Sequence, residues 1–101
     1  MPAPKFEIGT PGYYAIGTDI YPVTLVKQSP SGRTVWVQYD TFVGDVENGH
    51  EYFGHQVWKI TRDESSRIER YDWSEKSQSF RSKGCGWLRL GQWRAHQDPG
   101  F

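Results

Sequence analysis

The 101-residue chain has one cysteine, one methionine and no long apolar run. A lone thiol, Cys85, excludes an internal disulfide framework and any zinc cage made from several cysteines. No stretch approaches the roughly 18 consecutive apolar residues of a membrane-spanning helix. Met1-Pro-Ala-Pro-Lys5 offers no apolar core for a secretory signal. These gaps predict a protein without a membrane partner, compatible with a reducing compartment. Net charge is also missing: 12 Lys and Arg balance 12 Asp and Glu. Leu, Ile, Met and Ala are scarce, so amphipathic helices have little material, and no segment repeats apolar residues at i, i+3 and i+4.

Aromatic and turn residues fill the space. Five Trp, six Tyr and five Phe stand beside 11 Gly and 6 Pro. That mixture suits short strands joined by tight turns, and the aromatic content argues against disorder despite a hydrophobic fraction of 36%. Scaling from 11.7 kDa gives a folded surface of about 5,900 Å² against about 17,000 Å² unfolded. One core and one domain, residues 1–101, are expected, with 1–11 as an extended N-terminal tail.

The chain is punctuated every 8–12 residues or so. Tyr13–Ile16 predicts a short strand stopped by Gly17. Tyr21–Gln28 and Thr34–Tyr39 flank Ser29-Pro-Ser-Gly32, a type I turn sequence, and predict a hairpin. Val35, Val37 and Tyr39 share one face of its second strand. Gly44, Asn48, Gly49 and Gly54 predict a long loop over 40–56, with a short strand at Glu51–Phe53. Val57–Arg62 predicts a strand, Asp63–Ser66 a polar turn, and Ile68–Asp72 the strand returning from it. Ser77–Ser82 and Trp87–Leu90 follow, separated by a Lys83-Gly-Cys-Gly86 turn. The expected architecture is all-β, a small barrel or compact sandwich of five to seven short antiparallel strands.

Catalytic patterns are weak. His50-Glu-Tyr-Phe-Gly-His55 spaces its histidines five apart, which puts them on different faces of a helix or a strand rather than around one zinc. As loop histidines they need no such role, and His96 lies far off in sequence. Cys85 has no base beside it in a recognisable nucleophile arrangement and reads as turn packing. Asp19, Asp40, Asp45, Glu47, Glu51, Asp63 and Glu64 are scattered singly. No phosphate loop or dinucleotide fingerprint occurs. The expectation is a protein that is not an enzyme, with no cofactor and no metal.

Charge distribution says more. Residues 1–54 carry three basic side chains against six acidic, and residues 55–101 nine against six. From Lys76 to Arg94 there are five cations and no carboxylate. Arg81, Lys83, Arg89 and Arg94 interleave there with Trp87 and Trp93. Cations neutralise phosphates and aromatic faces stack on bases, so these six residues are the expected ligand-binding set for a nucleic acid or nucleotide. On a strand from Trp87, Trp87 and Arg89 point one way and Leu88 and Leu90 the other. The plainer alternatives are arginine stems packed over rim tryptophans and a strand edge kept soluble by charge. Sixteen aromatics exceed what one small core buries with certainty, so a patch left outside would favour a homo-oligomer or a protein partner.

Specific stretches also resemble a family. Gly12-Tyr-Tyr-Ala-Ile-Gly-Thr-Asp-Ile-Tyr-Pro-Val-Thr-Leu-Val-Lys-Gln-Ser-Pro-Ser-Gly-Arg-Thr-Val-Trp-Val-Gln-Tyr-Asp40, Ser79-Phe-Arg81, Gly86-Trp-Leu-Arg-Leu-Gly91 and Asp98-Pro-Gly-Phe101 are similar to small phage and prophage proteins of uncharacterised function. Together they cover about half the chain. The sequence departs from that pattern at Ile20, where arginine is common, and at His96-Gln97, where an aromatic is common. The resemblance implies an SH3-like β-barrel and a phage-type protein acting in the host cytoplasm, and it implies no activity. Asp19 and Tyr21 match its distinctive element and are read as fixing the first turn. The leading expectation is a non-enzymatic binding protein for an anionic ligand. The alternatives are an inhibitor that sequesters a host defence protein and a virion or assembly component.

Overall fold

The computed structural model describes residues 3–51, 53–82 and 86–97. Eight strands follow in order: β1 (Pro11–Ile16), β2 (Asp19–Gln28), β3 (Thr34–Tyr39), β4 (Thr41–Gly44), β5 (Trp58–Thr61), β6 (Ile68–Ser74), β7 (Ser79–Arg81) and β8 (Trp87–Leu90). Six of them close a barrel in the order β1-β2-β3-β6-β7-β8, every neighbour antiparallel and β8 returning to β1. Of the two architectures expected, the chain takes the barrel. Among the described residues no helix is long and apolar enough to cross a membrane.

Alternation explains the core. Val23 and Leu25 of β2, Val35 and Val37 of β3, Tyr71 of β6, Phe80 of β7, and Leu88 and Leu90 of β8 point inward and are buried together. The Ser29–Gly32 turn closes as its sequence predicts, Gly32 N–H donating to the Ser29 carbonyl at 2.9 Å with Gly32 at φ 80°. Val26 is an extra residue against β3, where the register shifts between Leu25 and Lys27; such a bulge sharpens the local twist. Gly12 is required by close approach: a Cβ there would lie 2.8 Å from the Arg89 carbonyl and 2.7 Å from Leu90 Cδ2. Residues 3–10 run along the Leu25 end of β2. Phe6 packs on the core, Gln28 accepts from Phe6 N–H at 2.9 Å and donates to the Pro4 carbonyl at 2.8 Å, and Gly9 N–H reaches the Leu25 carbonyl.

The stretch 40–56 departs from expectation. Its strand is β4, not Glu51–Phe53: Glu51 lies outside any strand, Phe53 is in a turn, and Tyr52 is outside the described residues. β4 pairs with β5 in a separate two-stranded arm, held by Phe42 edge-on to Trp58 at 5.0 Å. The next strand therefore does not return along β5; β6 joins β3 and β7 in the barrel. A four-residue strand ending in glycine carries too little alternation to be read from sequence. Of the turn predicted at Lys83–Gly86, residues 83–85 lie outside the described residues.

Asp40 joins these parts. Its side chain is fully buried and each oxygen serves two donors. Oδ2 accepts from Thr24 Oγ1 on β2 and from Trp93 Nε1 in the C-terminal segment. Oδ1 accepts from Arg62 Nη1 and from Asp63 N–H just after β5. Removing the carboxylate takes the counter-charge from the Arg62 guanidinium and an acceptor from the Trp93 indole, the Thr24 hydroxyl and Asp63 N–H. Asp40→Ala should lower stability by roughly 3 kcal/mol, read as a lower urea midpoint; an unchanged midpoint would contradict this role.

Candidate functional site: an arginine–aromatic wall and a tyrosine-lined mouth

Strand alternation places the outer wall. With Leu88 and Leu90 buried, Trp87 and Arg89 of β8 face outward. Tyr13 of β1 stands opposite Arg89 in register, and its ring meets Trp87 edge-on at 5.8 Å. The Arg89 guanidinium lies 5.3 Å from the Trp87 ring centre and that of Arg94 lies 5.1 Å from Tyr13. Beside them a shallow hollow of about 190 Å³ is lined by Ser77, Gln78, Ser79, Arg81, Trp87 and Arg89. Arg81 donates through Nε to Ser77 Oγ at 3.3 Å.

Four of the six expected residues, Arg81, Trp87, Arg89 and Arg94, therefore gather on one wall. Lys83 lies outside the described residues. Trp93 serves elsewhere: its indole N–H bonds the Val23 carbonyl and Asp40, both at 3.0 Å. It anchors residues 91–97 across the outside of β1 and β2, where His96 bridges Ile20 through the backbone. Tyr13 was missed, although strand alternation from Tyr14 would have turned it outward.

Charge pairing separates the arginines of this wall from the other arginines. Arg33 pairs with Glu75, Arg62 with Asp40, Arg67 with Glu69 and Arg70 with Asp72. Hydrogen bonding from Arg33 holds the Glu75 carboxyl below its ordinary range. Arg81, Arg89 and Arg94 have no such carboxylate partner among the described residues. Exposed cations over aromatic faces, free of counter-charge, can take an anionic group together with a flat ring.

The barrel's second feature is its open end. Tyr14 and Tyr21 are register partners, Tyr39 ends β3, and all three belong to the inward-facing set. With Phe42, Asp40 and Arg67 they line a cavity of about 330 Å³. Tyr21 thus faces the mouth rather than the turn; Asp19 opens β2. Tyr14 meets Tyr39 edge-on at 6.2 Å, and Tyr21 meets Phe42 edge-on at 6.0 Å. Gly86 must lack a side chain because the Tyr14 ring occupies that space. Behind them the Tyr39 and Tyr71 hydroxyls share a hydrogen bond of 2.5 Å.

The histidines are occupied separately. His50 Nδ1 accepts from Val57 N–H at 3.0 Å, and its ring packs on Trp58 at 4.5 Å. His55 is exposed, and His96 sits against β2. Among the described residues no three or more His, Cys, Asp or Glu side chains group as metal ligands would.

No family model matches the chain, and no curated protein or solved structure matches it. Geometry and chemistry carry the functional reading.

Burial pushes the Tyr39 and Tyr71 phenols above their ordinary value of 10.0, Tyr71 further still because its bond to Tyr39 also favours the protonated form. Above about pH 10 the folded chain retains protons that the unfolded chain releases, so their contribution is complete below that pH and declines above it. A phenolate-absorbance titration should show these two groups ionising later than free tyrosine, one fewer in Tyr71→Phe. Simultaneous ionisation with the free amino acid would refute the buried pair.

Proposed function

We propose that the protein is a non-enzymatic binding module whose outer β7–β8 wall takes a phosphate-bearing ligand, single-stranded nucleic acid or nucleotide. The observation carrying this reading is that Arg81, Arg89 and Arg94 converge beside Trp87 and Tyr13 without carboxylate partners among the described residues. Phosphates would be neutralised by the guanidinium groups, and a base would stack on the accessible indole of Trp87. Tyr13, only 4% exposed, backs that indole rather than meeting the ligand. The sequence resemblance supports reading such a module as a phage-type protein that would work in the host cytoplasm.

Native mass spectrometry of the purified protein tests for a retained nucleotide or oligonucleotide. In fluorescence anisotropy with a labelled oligothymidylate, replacing Arg81, Arg89 and Arg94 together by Gln should abolish measurable binding at moderate salt. At low salt the log–log salt slope should fall by about 2, and Trp87→Ala should cost about 1–3 kcal/mol. Binding that survives the triple replacement with the same salt slope would sink this reading.

A second reading rests on the arm. Val43, Val46 and Phe53 are 54%, 76% and 71% exposed, on or beside a two-stranded sheet whose outer edges are open to strand addition. This favours a host protein, such as a defence component, as partner. A partner retained from nuclease-treated host lysate should be lost in Phe53→Glu; retention by that variant would reject the arm as its docking surface.

A further inference from the structure

The mouth of the barrel has a different composition from the outer wall and a different orientation, since Tyr13 and Tyr14 project to opposite sides of β1. Its walls are the rings of Tyr14, Tyr21, Tyr39 and Phe42. Tyr14 and Tyr21 hydroxyls make no hydrogen bond among the described residues, so both can donate to or accept from a ligand's edge. A volume of about 330 Å³ stands at the small end of the range for small-molecule sites. It suits one base with its sugar, not a run of nucleotides.

Charge decides between the two ligand types that aromatic walls attract. Aromatic rings alone attract a quaternary ammonium, but a cation entering here would meet the Arg67 guanidinium, and the carboxylate lining the cavity, Asp40, already serves four donors and is sealed from solvent. At the lip stands Arg67, its side chain 84% exposed. Its bond to Glu69 is a surface pair that water screens and a bound anion can displace. We propose that this mouth is a second ligand site, for a single nucleoside phosphate, with the base among Tyr14, Tyr21, Tyr39 and Phe42 and the phosphate at Arg67. The site stands independently of the outer wall.

Calorimetric titration of the whole protein with adenosine monophosphate tests it, with adenosine, inorganic phosphate and tetramethylammonium as comparison probes. With the outer wall silenced by the triple arginine replacement, saturable one-to-one binding of the monophosphate is expected, weakened about tenfold or more by adding Tyr21→Ala or Phe42→Ala. Arg67→Gln, at an exposed position that leaves the fold intact, should weaken the monophosphate several-fold and leave adenosine unchanged. Any monophosphate binding that the parent shows beyond this one site belongs to the outer wall, so the two sites fail or succeed separately. Competition by a 5′-phosphorylated trinucleotide would assign the ligand to a strand end, and competition by the mononucleotide alone to a free nucleotide; either supports the site. No monophosphate binding, binding indifferent to Tyr21→Ala and Phe42→Ala in folded protein, or capture of tetramethylammonium instead would overturn it.

Discussion

One buried carboxylate holds together parts of the chain that have no other strong reason to meet. Asp40 leaves β3 and at once accepts from β2, from the C-terminal segment and from the residues closing β5. Gln38, one turn of the pleat earlier, reinforces it: Oε1 accepts from Arg62 Nη2, and Nε2 donates to the Glu64 and Ser66 carbonyls. A buried charge is tolerated only when its lone pairs are met, and here the donors come from β2, from the residues just after β5 and from the C-terminal segment. The position of the arm, and so of Phe42 at the mouth, follows from Asp40. So does the path of residues 91–97, which sets Arg94 over Tyr13.

The barrel leaves no room for a ligand inside. Val23, Leu25, Val35, Val37, Tyr71, Phe80, Leu88 and Leu90 fill the interior, and the N-terminal segment with Phe6 lies at one end. Chemistry is displaced to the wall and to the opposite end, and strand alternation divides it. Odd and even positions of β1 send Tyr13 to a cationic surface and Tyr14 into a nearly neutral aromatic recess. Two adjacent tyrosines thus belong to surfaces of opposite character.

Much of this was legible in sequence where the information is local. The β2–β3 hairpin follows from alternating valines around Ser29–Gly32, and the outward Trp87 and Arg89 follow from Leu88 and Leu90. β4 was not legible, because its pairing depends on Phe42 meeting Trp58 and on Asp40 gripping Arg62. Trp93 looked like a ligand aromatic because its partner Asp40 lies 53 residues away. The tyrosine mouth was hidden for a related reason: Tyr14, Tyr21 and Tyr39 come together only once the register of three strands is known.

Closure of the barrel also weighs between the explanations for the arginine wall. Lysine and arginine commonly guard open sheet edges against pairing with other chains. β7 and β8 belong to the closed barrel: β7 pairs with β6, β8 pairs with β1, and the two meet at Phe80 and Leu88. Among the described residues the β4–β5 arm pairs with no third strand, and Lys59 of β5 stands exposed there. Edge protection accounts most directly for the charge on the arm, whereas Arg81 and Arg89 border the seam where β7 meets β8. Packing over aromatic rings is a structural role that engages the Arg89 and Arg94 guanidinium groups themselves, and it leaves them without a carboxylate partner among the described residues. An anion meeting that wall would find its partners already in place, which is the physical ground for looking there first.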